Sequence, residues 1–181
     1  MNDTKNFMKA AASSGDNGPR TLVREIVQSK LPPSEKSFER IFEEMSTTTG
    51  AGFETTAAVI RIAAFHIYSD LKILQKLRAE LSAAPNHDWK TLEQLPYLTA
   101  TIMEAMRLAP AIATRSARIT QDKALVYADW RIPAGTPVGM TLHLLHQNEE
   151  EYPEPKRFNP DRWMDPNPWQ LGTKTFVPFG K

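Results

Sequence analysis

Glu104 and Arg107 stand three residues apart in a segment with helical apolar spacing, so the two side chains project from one helix face. On a surface such a pair adds only about 0.2–0.5 kcal/mol. Arg162, within Phe158-Asn159-Pro160-Asp161-Arg162-Trp163, could bring a second guanidinium fork to the same carboxylate and tie that segment onto the helix. A second constellation is the run of weak helix formers Ser46, Thr47, Thr48, Thr49, Gly50, Gly52, Thr55 and Thr56. Each glycine costs a helix roughly 1 kcal/mol against alanine. Read plainly, the run is a break between two helices. Read as chemistry, a helix thinned at Ala51-Gly52 lets a flat ligand lie against its backbone. Thr55 can then bond the Ala51 carbonyl four residues back or release it to water, and Glu54 beside it can carry a proton. His143 and His146 invite a metal reading, but on a strand their odd and even positions face opposite ways. No third ligand stands near them, and a surface or polar-core role is the simpler reading.

The elements that must position these groups are helical first and irregular later, because nine of the 14 prolines lie between Pro110 and Pro178. The small, polar run Ala10 to Gly18 reads as a loop, and Thr21 to Ser29 as a short amphipathic helix closed by Pro32-Pro33. Phe38, Ile41, Phe42 and Met45 recur at helical spacing and begin a long helix that could continue to Tyr68, about 50 Å. Asp70 can cap a helix over Leu71 to Ala84. Thr91 with Gln94 has the pattern of a capping box for a helix over Tyr97 to Arg107. Ile119, Leu125-Val126 and Trp130 to Ile132 read as short strands, with Pro133-Ala134-Gly135-Thr136 as the turn between two of them. Val138, Met140, Leu142 and Leu144 fit a strand or a short helix. Tyr152 to Trp169 reads as an ordered meander held by its aromatics.

Composition removes whole classes of function. The 22 Lys and Arg nearly balance the 21 Asp and Glu, so no large field favours nucleic acid. The chain has no cysteine, which excludes disulfides, thiolate metal sites and a nucleophilic thiol within it. The apolar stretch Ala57 to Tyr68 is interrupted by Arg61 and His66 and falls short of the ~20 residues that span a bilayer. The start lacks the pattern of a signal peptide, so neither an anchor nor an export signal is expected here. Phosphate-cradling glycine loops and a Gly-x-Ser-x-Gly elbow are absent.

Four motifs in order resemble the cytochrome P450 superfamily of heme-thiolate monooxygenases, with a style most like its fungal microsomal members. Ala51-Gly52-Phe53-Glu54-Thr55-Thr56 is similar to the oxygen-activation signature of the family's long central helix. Glu104-Ala105-Met106-Arg107 is similar to its Glu-x-x-Arg pair. Pro155-Lys156-Arg157-Phe158-Asn159-Pro160-Asp161-Arg162-Trp163 resembles the meander element whose arginine joins that pair, and Thr175-Phe176-Val177-Pro178-Phe179-Gly180 resembles the start of the heme loop.

The resemblance implies a mainly α fold with small β elements, a partial cytochrome P450 domain over residues 31–181, preceded by residues 1–30 as a mobile segment with a short helix. It implies that Thr55 and Glu54 manage water and protons for dioxygen cleavage. Ala51 and Gly52 would approach the heme face, Pro178, Phe179 and Gly180 its proximal side, and Arg115, with Arg118 second, a heme propionate. Phe53, Ile112 and Ala113 would face an apolar small substrate, and Glu104, Arg107 and Arg162 would be structural. The implied full-length parent takes electrons from a reductase and resides at the endoplasmic reticulum membrane. The family's iron-ligating cysteine follows its heme loop, about five positions beyond Lys181. The expectation is therefore an internal fragment, inactive as it stands, that does not hold heme stably. The competing reading is a helical interaction module without cofactor.

Overall fold

The computed structural model describes residues 2–13, 20–109, 114–164 and 175–179. The chain divides into two compact units, Met1–Glu54 and Thr55–Lys181. In the first, α1 (Asn2–Ser13) packs against α2 (Leu22–Gln28), a 3-10 turn follows at Pro33–Lys36, and α3 (Phe38–Ser69) begins. The Thr21 hydroxyl caps α2 by accepting from the Arg24 amide at 3.3 Å. Buried Ala11, Val23 and Ile41 form this unit's core, with Met8, Ile26, Val27 and Met45 packed around them. The run expected as loop from Ala10 is helical through Ser13, whose hydroxyl donates to the Lys9 carbonyl. Three successive alanines, the best helix formers, carry α1 that far.

α3 is continuous over 32 residues, about 48 Å, so the glycine and threonine run does not break it. In the second unit, Asp70 caps α4 (Leu71–Ala83) by accepting from the Lys72 and Ile73 amides at 2.8 and 3.5 Å. Asp88 caps a single turn, α5 (Trp89–Leu92), and Thr91 lies inside that turn. Thr91 and Gln94 therefore do not box the next helix, α6 (Pro96–Leu108). The Glu80 carboxylate of α4 does that work, accepting from the Tyr97 and Leu98 amides at 2.8 Å each. One carboxylate thereby satisfies two orphan donors and places its charge at the positive end of α6.

β1 (Leu125–Tyr127) and β2 (Trp130–Ile132) pair antiparallel, Leu125 opposite Ile132 and Tyr127 opposite Trp130. The turn between them is Ala128-Asp129, with Ala128 in the left-handed region at φ 48° that tight hairpins require. Pro133–Thr136 instead forms the next turn, which returns the chain so that Val138 bridges Arg118. Leu142–His146 is a short helix, α7, and a 3-10 turn spans Pro160–Trp163. Two apolar clusters surround α6. One joins Ile73, Leu77, Tyr97, Ala105 and Phe158 to Val59, Ile62 and Ile67 of α3. The other joins Ala100, Met103, Tyr152 and Trp163 to Met106 and Phe176. Among the described residues no helix is long and apolar enough to cross a membrane.

Candidate active site

α6 faces both clusters, and its spacing carries Glu104 and Arg107 to the inner side, where each is fully buried. Arg107 Nε and Nη2 donate to Glu104 Oε2 and Oε1 at 2.9 and 2.8 Å. The rest of the guanidinium is also satisfied, since Nη1 donates to the His146 carbonyl at 2.7 Å and Nη2 to the Arg157 carbonyl at 3.3 Å. Glu104 gathers three further donors: Arg162 Nε at 3.0 Å, the Asn159 amide at 2.9 Å and Trp163 Nε1 at 2.9 Å. Burial pushes the Glu104 carboxyl up, but the hydrogen bonds and charge of Arg107, the Asn159 amide and Arg162 together outweigh it, and its pKa lies below the ordinary value. This saturation is what makes a buried ion pair tolerable, because five donors replace the lost hydration. The segment after α7 is thus fastened to α6, and Lys76 on α4 adds an exposed tie to Asp161 at 2.7 Å.

Beyond this network lies an open, mostly apolar cavity of about 340 Å³. Thr55, Thr56 and Val59 of α3, Met106 and Ala109 at the end of α6, Leu142, His143 and His146 of α7, and Pro178 and Phe179 line it. Its polar side-chain groups are two hydroxyls and two imidazoles. That lining suits a flat, apolar macrocycle: it is poor in donors that would demand water, and it is flanked by Thr55 and by the side chains of Pro178 and Phe179, which carry no polar atom. An iron ion would find no thiolate here, since the chain has no cysteine. Among the described residues no group of three or more His, Asp or Glu could hold a metal.

The structure therefore brings Thr55, Pro178 and Phe179 to one cavity and Glu104, Arg107 and Arg162 to one buried cluster. Ala51, Gly52, Phe53 and Glu54 lie on the first unit's stretch of α3 and are exposed, Phe53 by two thirds. Arg115 is exposed and is not among the cavity's lining residues. Arg118 pairs through its backbone with Val138. Ile112, Ala113 and Gly180 lie outside the described residues. His143 and His146 do not alternate on a strand: they lie three apart on α7, and both reach the cavity.

Two groups have roles that the sequence does not assign, whereas His146 takes the polar-core place expected of it, 3% exposed. Trp163 reads from sequence as a meander aromatic, although an indole N–H is a donor that must be satisfied when buried. Gly139 has no local signal: a Cβ there would meet Ser116 O at 2.7 Å and Arg115 Cγ at 3.1 Å, so the Arg115-Ser116 backbone can pass only a glycine.

Comparison with known proteins adds an independent line. A family model described as Cytochrome P450 matches residues 1–181. The chain is 35% identical over 172 residues to "Cytochrome P450 monooxygenase SAT11" of Stachybotrys chartarum, covering 92% of this chain and 33% of that protein. It is 36% identical over 182 residues to "N-acetyltryptophan 6-hydroxylase ivoC" of Emericella nidulans, covering 96% and 35%. Among solved structures, "Crystal structure of a Cytochrome P450 (CYP102L1)" aligns with a TM-score of 0.75 at 22% identity, over 99% of this chain and 42% of that one. That last likeness speaks for the fold alone. The chain spans about a third of the length of the curated relatives it matches.

Proposed function

This chain belongs to the cytochrome P450 family, and on that premise we propose that the protein containing it is a heme-dependent monooxygenase acting on an apolar small organic molecule. The observation that carries the reading is the cavity on which Thr55 meets Pro178 and Phe179. When bound, heme supplies the oxygen chemistry: a substrate C–H, O₂, two electrons and two protons give the hydroxylated product and one water.

The residues of this chain divide the remaining work. Thr55 Oγ1 holds a water and passes a proton toward the oxygen site, and Glu54 resupplies that proton. Val59, Pro178 and Phe179 give the cavity apolar walls that offer water no hydrogen-bond partner. Gly52, with Ala51, would let the ring approach the helix backbone, and Pro178 and Phe179, with Gly180 outside the described residues, would meet its proximal side. Arg115, or Arg118 in its place, pairs with a heme carboxylate. Phe53, Ile112 and Ala113 contact the substrate. Glu104, Arg107 and Arg162 act at one remove, holding the segment that supports the loop. A thiolate for iron comes from outside these 181 residues, electrons from a reductase, and the full-length protein resides at the endoplasmic reticulum membrane as a fungal secondary-metabolism enzyme. Nothing in the matched family supports a cofactor-free interaction module.

The test uses the full-length protein. Reduction under carbon monoxide should give the red-shifted absorption band of a thiolate-ligated heme. Thr55→Ala should keep that band but divert reducing equivalents from product to peroxide and water. Full product yield per electron pair in Thr55→Ala would remove the proton role, and no band in the wild type would remove the heme reading.

A further inference from the structure

One residue touches both Arg107 and the Phe176–Phe179 segment. Its backbone carbonyl accepts from Arg107 Nη1 at 2.7 Å, and its ring nitrogen Nε2 accepts the buried amide proton of Val177 at 3.1 Å. We infer that His146 is a positioning residue for the Phe176–Phe179 segment, acting as a neutral imidazole that couples the buried Glu104–Arg107 cluster to the cavity wall. The inference rests on the reading above that Pro178 and Phe179 face the cofactor.

The geometry selects one protonation state. An N–H faces Nε2, so Nε2 must present its lone pair and the proton must sit on Nδ1. That excludes the other roles open to a cavity histidine, because the lone pair that would bind a metal or accept a proton is already occupied. The ring itself is fixed: it is 3% exposed, stacked on Phe176 at 5.8 Å and 27°, and edge-on to Tyr152 at 6.1 Å and 85°. Without the imidazole the Val177 amide would be buried with no acceptor, and Pro178 beside it has no amide proton to donate in its place.

Protonation would turn Nε2 into a donor facing a donor. Burial, helped by the charge of Arg107 on α6 and by the neighbouring His143 on α7, holds the imidazole below the ordinary histidine value, while the backbone hydrogen bond with Arg107 and the charge of Glu104 on α6 pull the other way. Tyr152 is the remaining titratable neighbour, and burial pushes its hydroxyl up, so it stays neutral. The residues of α3 that share the cavity, Thr55, Thr56 and Val59, carry no charge. The clamp is therefore closed at neutral pH and opens on acidification.

The full-length protein is compared as wild type, His146→Phe and His146→Gln. Phenylalanine keeps the stack on Phe176 and loses the acceptor. Glutamine keeps an acceptor that does not titrate. Amide-exchange protection of the Val177–Phe179 segment is read at about pH 7.5 and about pH 5. In the wild type it should fall on acidification, by up to about tenfold, the size of one net hydrogen bond. His146→Phe should be low at both pH values, and His146→Gln intermediate and flat. The thiolate-type carbon monoxide band should be lost in the same order. Wild-type protection that is flat with pH, or His146→Phe protected like the wild type, overturns the inference. If His146→Phe does not fold, imidazole nitrogen NMR of the wild type decides: a proton on Nε2 at neutral pH overturns it. A wild type with the expected exchange pattern but no heme band sinks the functional reading and leaves the clamp standing.

Discussion

The indole Nε1–H of Trp163 donates to Glu104 Oε2 at 2.9 Å, joining residues 59 positions apart in a fully enclosed bond. Trp163 thereby shares the Oε2 atom with Arg107 Nε and completes the carboxylate's set of donors, and its ring packs edge-on against Phe176 at 4.8 Å. Trp163→Phe keeps most of the ring and deletes the donor. It should cost about 1.5–3 kcal/mol, the penalty for depriving a buried charged acceptor of one partner. Urea unfolding of the full-length protein measures it, and a loss below ~0.5 kcal/mol would mean the bond is idle.

The two arginines should not be equivalent. Arg107 is fully enclosed and serves Glu104, His146 and Arg157, whereas the Arg162 side chain is 12% exposed. Arg107→Lys cannot span those acceptors with one ammonium and should cost about 3–5 kcal/mol. Arg162→Lys leaves water able to reach the vacated position and should cost distinctly less. Equal unfolding midpoints for the two variants would contradict the burial difference.

Acid should weaken the fold in two stages. His66 stacks on Phe158 at 4.5 Å, and burial holds its pKa below the ordinary 6.5 although Glu104 raises it somewhat. A depressed imidazole pKa means that the unfolded chain binds the proton better. Stability is then whole above about pH 6.5 and declines as pH falls below that value toward the folded pKa. Glu104, depressed from 4.5, gives a second loss only as pH falls below the ordinary carboxylate range. His66→Phe keeps the stack and should reduce the first decline while leaving the second. Urea midpoints followed from neutral to acid pH test this, and an unaltered first decline would count against it.

Gly139→Ala should destabilise by about 1–3 kcal/mol, because its methyl would overlap Ser116 O and the backbone must move. The damage should be local, with exchange rising first at Arg118 and Val138, whose amides bond each other's carbonyls at 2.8 and 3.0 Å. Unchanged protection at those two amides would show that the strand pair absorbs the methyl.

The 181-residue chain by itself, titrated with hemin and reduced under carbon monoxide, should give none of the red-shifted band. No residue of it can supply the sulfur ligand. His143 could bind hemin opportunistically through its imidazole, which would appear as a weak signal without that band. The band's appearance would contradict the assignment of the thiolate to a part of the protein outside this chain.

Local features were the legible ones. The cap Asp70 acts on amides two and three residues away, and Glu104 and Arg107 share a face because of the helical repeat alone. Misreadings arose where a distant group replaced a local one. The box expected at Thr91 and Gln94 gave way to Glu80, which reaches Tyr97 from another helix. Of the strand and the short helix that Val138 to Leu144 both fit, the structure has the helix, α7, whose His146 carbonyl accepts from Arg107 Nη1.

By itself the sequence determined the mainly helical class, the run of α3 to α4, the absence of an internal thiolate and, through four ordered motifs, the family. Those properties follow from residue type and short-range spacing, which any stretch of chain displays without folding. Tertiary structure alone decided which donors fill the Glu104 carboxylate, that His146 faces Val177 with its lone pair, and that Thr55 meets Phe179 across one cavity. The reason is that burial makes every polar atom seek a partner. The partners available depend on which segments the apolar clusters have brought within about 3 Å, a distance that spacing along the chain does not encode.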